Sequence, residues 1–110
     1  MFVPNAEIAV VDVRKLRDYC LNPNHEVGKH KARVFAAALN LTYNDVEVLQ
    51  TALLEAVKTI EAEIGKLDKH GQRYTVDFEF ERQGNRAVVR SVWIIDVGSE
   101  IPRIVTCLIL

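Results

Sequence analysis

The sequence of 110 residues has only two cysteines, Cys20 and Cys107, and they lie far apart. There is no CxxC spacing and no histidine pair at ligand spacing, so the sequence predicts neither a zinc motif nor a disulfide framework. Reduced thiols are the expectation, which suits a cytosolic protein. Gly28 stands alone before a predicted helix, so no glycine-rich phosphate loop is present. We therefore predict no metal site and no cofactor.

Long apolar runs are also missing, and no stretch approaches the length that spans a bilayer. The N-terminus lacks the charged region and apolar core of a signal peptide, so we expect a cytoplasmic protein without a membrane partner. The formal net charge is only -1. Because this charge gives no overall attraction to nucleic acid, any RNA binding must come from a local patch. The length predicts one domain, residues 1–110.

Apolar residues recur at helical spacing in three stretches of the first half of the chain. The spacing predicts helices over residues 13–21, 29–39 and 44–64. Asp12 is the expected N-cap of the first helix, and Thr42 or Asn44 of the third. In this interpretation Ile64 lies in the last turn of the third helix, Gly65 terminates it, and a polar connector follows.

The period changes after Gly71, where apolar and polar residues begin to alternate. Alternation and turn residues predict three strands, near residues 73–80, 87–96 and 101–110. Short turns between successive strands indicate an antiparallel meander, so we expect an α+β fold with helices packed on one face of the sheet. The last strand is so apolar that we expect it to be buried on both faces, within the sheet or against a second chain. The sequence thus predicts a homodimer or a hetero-complex.

Cations are concentrated at the start of the second predicted helix. A helix N-terminus already carries partial positive charge, so cations there oppose the macrodipole. Such an arrangement suits an anion-binding site, and the alternative is a solvated basic face at the end of a loop. The residues concerned are Lys29, His30, Lys31 and Arg33, preceded by His25 in the loop.

These side chains suit the cleavage of RNA without a metal. A base must take the proton of the attacking 2′-hydroxyl, and histidine titrates near neutrality. Lysine and arginine stabilise the charge that develops on the phosphate oxygens. Arg73, Arg90 and Thr106 fall on three successive predicted strands, so we expect them to line one groove with the start of the helix.

Five ordered segments of the chain resemble a bacterial domain of unknown function, DUF6883. This domain occurs alone and as the C-terminal module of polymorphic or contact-dependent inhibition toxins. The segments cover residues 15–25, 28–35, 71–77, 89–95 and 98–106.

The resemblance implies a toxin fold of the group that includes barnase, EndoU, colicin and RelE, in which helices precede a β-meander. Many members are metal-independent ribonucleases acting on tRNA or other RNA, paired with an antitoxin or immunity protein. The family motif places Lys31 in its Gly-x-x-Lys-Ala-x-x-Phe segment, followed by Arg90 and Thr106. This chain would then be a stand-alone copy, with Lys31, Arg90, Thr106 and either His25 or His30 catalytic, and Lys29, Arg33 and Arg73 binding substrate. The alternative is a non-catalytic interaction module that uses the last strand to bind a small partner encoded nearby.

Overall fold

The first half of the chain is helical and the second half is a sheet, in a computed structural model that describes residues 1–110. The helices are α1 (Val13–Lys15), the π-helix π1 (Leu16–Cys20) that continues it, α2 (Lys29–Leu39) and α3 (Val46–Thr59). The strands are β1 (Glu63–Asp68), β2 (Gly71–Arg82), β3 (Asn85–Asp96) and β4 (Pro102–Ile109). This confirms the predicted α+β class with its helices before the strands.

The helix starts follow from the side chains around them. Asp12 caps α1, its carboxylate accepting from the Arg14 backbone N–H at 2.9 Å. Thr42 and Asp45 form a capping box around the short 3₁₀ turn Tyr43–Asp45 that leads into α3. Thr42 thus caps the 3₁₀ turn, whereas Asp45 precedes α3 as its N-cap, so neither predicted cap of the third helix, Thr42 or Asn44, occupies that position.

The predicted end of the third helix was wrong. The helix ends at Thr59, and Ile60 already has an extended backbone. Ile64 lies in β1 and is 62% exposed, so its helical spacing from Ile60 does not reflect a buried helical face. The first half of the predicted polar connector, residues 66–68, belongs instead to β1, an edge strand that pairs with β2 and that the sequence analysis missed.

The sheet is antiparallel with strand order β1-β2-β3-β4. Strands β2 and β3 pair along their whole length from Gly71 to Arg82, joined by a two-residue turn at Gln83 and Gly84. Both turn residues have positive φ, the backbone that matches the twist of a tight hairpin. Before α1, Val10 makes one isolated parallel bridge to Arg103 of β4.

The helices cover one face of the sheet and create the core with it. The fully buried Trp93 donates its indole N–H to Ser91 Oγ at 2.9 Å, and Ser91 Oγ donates to the Val76 carbonyl at 2.8 Å. Every buried side-chain nitrogen and oxygen atom has a hydrogen-bond partner. The sheet residues of the core are Tyr74, Val76, Phe78, Val89, Trp93, Ile104 and Cys107.

The last strand occupies an edge of the sheet and not its interior. Only Pro102, Ile104 and Cys107 of this strand are buried, so the expectation of burial on both faces within the sheet was wrong. Val10 covers part of the free edge through hydrogen bonds to Pro102 and Ile104. Contact with a second chain stays a prediction. No helix is long and apolar enough to cross a membrane.

Candidate anion-binding site

A cavity of about 430 Å³ opens where α1, π1, α2 and β4 meet. Lys15 and Tyr19 lie four residues apart and therefore on one side of their helical segment. Lys31 enters from α2, and Thr106 and Val105 enter from β4. Two ammonium groups and two hydroxyl groups thus face a space that no carboxylate lines.

Lys31 is held in place by hydroxyl groups and an aromatic ring. Its Nζ donates to Thr106 Oγ1 at 3.0 Å and lies 3.4 Å from Tyr19 Oη. The same Nζ lies 5.0 Å from the centroid of the Tyr19 ring, a cation–π distance. No salt bridge in the structure involves Lys31 or Lys15. Both ammonium groups therefore keep their charge available for an anion.

Thr106 reaches this site because the pairing of β4 with β3 is interrupted. Val92 pairs with Thr106 and Trp93 pairs with Ile104, so Val105 is an extra residue, a β-bulge. A bulge bends the strand and re-aims its side chains, and such bulges are common beside functional sites. The Thr106 hydroxyl consequently lies between Lys31 and the thiol of Cys20, whose Sγ is 3.8 Å from Oγ1.

Cys20 and Cys107 are both free and fully buried behind the cavity. Hydrogen bonding from the Cys107 thiol, helped by the Thr106 hydroxyl and the charge of Lys31, lowers the pKa of Cys20 to about 6 against the opposing effect of burial. The same contact and burial raise the pKa of Cys107 well above its ordinary value. Removing one proton from the pair is therefore easy, and removing a second is hard.

The two histidines proposed as proton carriers do not line the cavity. His25 Nδ1 accepts from the backbone N–H groups of Val27 and Gly28, at 3.1 and 2.9 Å. Its ring packs edge-on against Tyr19 with centroids 4.8 Å apart. Because Nδ1 is occupied as an acceptor, the neutral ring carries its proton on Nε2 and shapes the loop. His30 is exposed on α2.

The arginines expected in the same groove lie elsewhere. Arg90 alternates with the buried Val89 and Ser91, so it projects from the face of the sheet that the helices leave open. There it binds Asp77 through two hydrogen bonds of 2.9 and 2.8 Å, which hold the pKa of Asp77 below its usual value. The expectation of one groove shared by Lys31 and Arg90 was therefore wrong.

Arg73 lies on the same open face and binds Asp68 at 3.0 Å. Lys29 is half-buried at the start of α2, outside the cavity lining. Arg33 is exposed and borders a separate, smaller cavity of about 180 Å³. Of the predicted site residues, the structure brings only Lys31 and Thr106 together. No group of three or more His, Cys, Asp or Glu side chains lies close enough to share a metal ion.

Gly28 allows π1 and α2 to pack closely beside the cavity. A Cβ at this position would lie 2.2 Å from the backbone oxygen of Tyr19. The φ of Gly28 is -78°, so only the close contact, and not backbone strain, requires glycine here.

We expect Gly28→Ala to lower the free energy of unfolding by about 1–3 kcal/mol, the usual cost of overpacking. The urea midpoint measures the effect. Gly98→Asn is a comparison variant, because a Cβ there meets nothing within 4 Å and the only cost is the strain of a side chain at positive φ, which asparagine tolerates best. A wild-type midpoint for Gly28→Ala would contradict the close packing of π1 on α2.

Comparison with known proteins identifies the family. A family model described as "Domain of unknown function (DUF6883)" matches residues 2–110. Searches of curated proteins and of solved structures found no match. Because the match extends over almost all of the sequence, the chain belongs to the DUF6883 family.

Proposed function

We propose that this domain is a metal-independent ribonuclease-type toxin domain whose cavity holds the phosphate of RNA. The main observation in support of this proposal is that Lys15 and Lys31 line a cavity that has no carboxylate in its lining. Elsewhere every arginine except Arg33 lies within 4.0 Å of a carboxylate, and the lysines without such a partner, Lys29, Lys58 and Lys69, line no cavity. Unpaired cations facing a cavity favour the binding of an anion.

The geometry around Lys31 suits the transition state of phosphate transfer. A lysine ammonium has three N–H donors, and Thr106 and Tyr19 accept two of them. The third is free for a phosphate oxygen, and Lys15 supplies a second positive charge across the cavity. Charge that develops on the phosphate oxygens is then stabilised by groups already in position.

The reaction requires an acid for the leaving oxygen. Tyr19 Oη lines the cavity beside Lys31 and carries a proton, so it can protonate the 5′-oxygen as the P–O bond breaks. The neighbouring ammonium stabilises the phenolate that results, and water returns the proton. The 2′-oxygen meanwhile bonds to phosphorus, leaving a cyclic phosphate on one RNA fragment.

The toxin assignment rests on the likeness of DUF6883 domains to the C-terminal modules of bacterial toxins. A domain that cleaves cellular RNA needs an antitoxin or immunity protein in the cell that makes it. We propose such a protein as the partner, and RNA as the substrate.

Cleavage of RNA but not of DNA tests the proposed function. We expect the purified protein, with a chelator present, to cut an RNA oligonucleotide and to leave a 2′,3′-cyclic phosphate. The DNA oligonucleotide of the same sequence is the control, because it lacks the attacking 2′-hydroxyl. Arg90→Ala should cleave at the wild-type rate, since Arg90 lies on the other face of the sheet. If the oligonucleotides stay intact, the ribonuclease proposal fails and a non-catalytic interaction module is what remains.

A further inference from the structure

The proposed reaction needs a group that accepts the proton of the attacking 2′-hydroxyl. The cavity lining offers two ammonium groups, the hydroxyl of Tyr19, which the proposed reaction uses as the acid, and the hydroxyl of Thr106. Thr106 is a weak base by itself, so it must pass a proton on. The only titratable group in contact with its hydroxyl besides Lys31 is the thiol of Cys20.

The direction of the hydrogen bonds follows from Lys31. An ammonium group only donates, so at the 3.0 Å contact Thr106 Oγ1 is the acceptor. The proton of Thr106 is then free to point at Cys20 Sγ, 3.8 Å away. Lys31, Thr106 and Cys20 thus form a chain in which each group donates to the next.

The surroundings of Cys20 favour a negative charge on its sulfur. The neighbouring Cys107 thiol of β4 and the positive charge of Lys31 from α2 both favour the charged form of that sulfur. Lys15 and Tyr19 lie on the helical segment that ends at Cys20. No carboxylate is among the charges that act on this thiol, whose pKa is lowered to about 6.

We propose that Cys20 is a positioning residue that, through Thr106, takes up the proton of the RNA 2′-hydroxyl. As the 2′-oxygen bonds to phosphorus, its proton moves to Thr106 Oγ1 and the proton of Thr106 moves to Cys20 Sγ. The Cys20 thiolate becomes a thiol, and Tyr19 gives its proton to the leaving 5′-oxygen. This inference rests on the proposed function and names the proton acceptor of the same site.

The thiolate is measured without any substrate, by following its ultraviolet absorbance against pH. In the wild-type protein we expect a step near pH 6 that Cys20→Ser removes. Thr106→Val should move the step to higher pH, because the valine cannot donate to the sulfur. Cys107→Ala should also move the absorbance step to higher pH. This variant is the alternative test of the thiolate if Cys20→Ser fails to fold.

Kinetics then test the role in the reaction. The wild-type kcat should rise with pH through about 6 as the thiolate forms. Cys20→Ser should lower kcat about a hundredfold with KM unchanged, the range for a lost general base, and should abolish this rise. Cys107→Ala should shift the rise to higher pH together with the absorbance step. A solely structural cysteine would move neither profile.

The outcomes separate this inference from the proposed function. If no absorbance step is found below pH 8, Cys20 does not form the proposed thiolate, and the relay is overturned whether or not the protein cleaves RNA. If the wild-type protein shows the absorbance step but Cys20→Ser leaves the dependence of kcat on pH unchanged, the relay is overturned and the ribonuclease proposal stands. If the protein shows the absorbance step but cleaves no RNA, the proposed function and the relay are overturned together.

Discussion

Lys31→Ala is expected to reduce RNA cleavage by about a hundredfold or more, because it removes the charge that stabilises the transition state. The remaining ammonium of Lys15 has no hydrogen bond to hold it in place and cannot replace this geometry. The side chain of Lys31 is also the link between Tyr19 and Thr106. The measurement is kcat on an RNA oligonucleotide, together with growth arrest on expression.

Lys58→Ala is the matched control, since it removes the same charge from an exposed position on α3. Its cleavage rate should equal that of the wild type. The free energy of unfolding of Lys31→Ala should differ little from the wild-type value, so lost activity would not reflect lost folding. Unchanged cleavage and growth arrest in Lys31→Ala would identify the cavity as a binding surface without catalysis.

Trp93→Ala should be the most destabilising substitution of those considered, by about 3–5 kcal/mol. The indole is fully buried between the sheet and the helices, and its loss leaves a large cavity. It also removes the donor to Ser91 Oγ, a buried polar atom. Because domains of this size are stable by only about 5–15 kcal/mol, much of the stability is lost. Urea unfolding followed by circular dichroism measures the change.

Trp93→Phe separates the two contributions. It keeps most of the buried apolar volume and removes the indole N–H, so we expect a loss of about 1 kcal/mol from the hydrogen bond. A cost as large as that of Trp93→Ala would show that the Trp93–Ser91–Val76 chain, and not apolar burial, stabilises the centre of the sheet.

Local patterns predicted the elements whose periodicity and burial agree. The helix over residues 29–39 has the predicted bounds, with Ala32, Phe35 and Leu39 buried on its inner side. The alternation around Tyr74 likewise places its apolar residues in the core. The predicted end of α3 was wrong because Ile60 and Ile64 have helical spacing without being buried. β1 is mostly exposed, and an exposed edge strand has no apolar alternation to detect.

Local patterns could not predict the site, because it forms between residues that are distant in the sequence. Lys31 was predicted from the cations at the start of its helix and Thr106 from its strand position. The family resemblance singled out both, and the structure places them in contact. Lys15 and Tyr19 share a helical face at a spacing of four, but only packing against α2 and β4 gives that face a cavity. The prediction put Arg90 in the wrong groove. Its position along β3 fixes the face of the sheet on which it lies, but the sequence did not show which face the helices leave open.

The tight β2–β3 turn has a consequence for when the site appears during folding. The long hairpin on either side of Gln83 and Gly84 closes a minimal loop and pays little chain entropy to form. Lys31 and Thr106 are 75 residues apart in sequence, and Cys20 and Thr106 are 86 apart. Contacts of such long range come late, so a partly folded chain can contain the β2–β3 hairpin without the cavity. Under the proposed toxin function, a newly made molecule gains its activity only when the helices pack against β4, which leaves time for the proposed antitoxin or immunity protein to bind first.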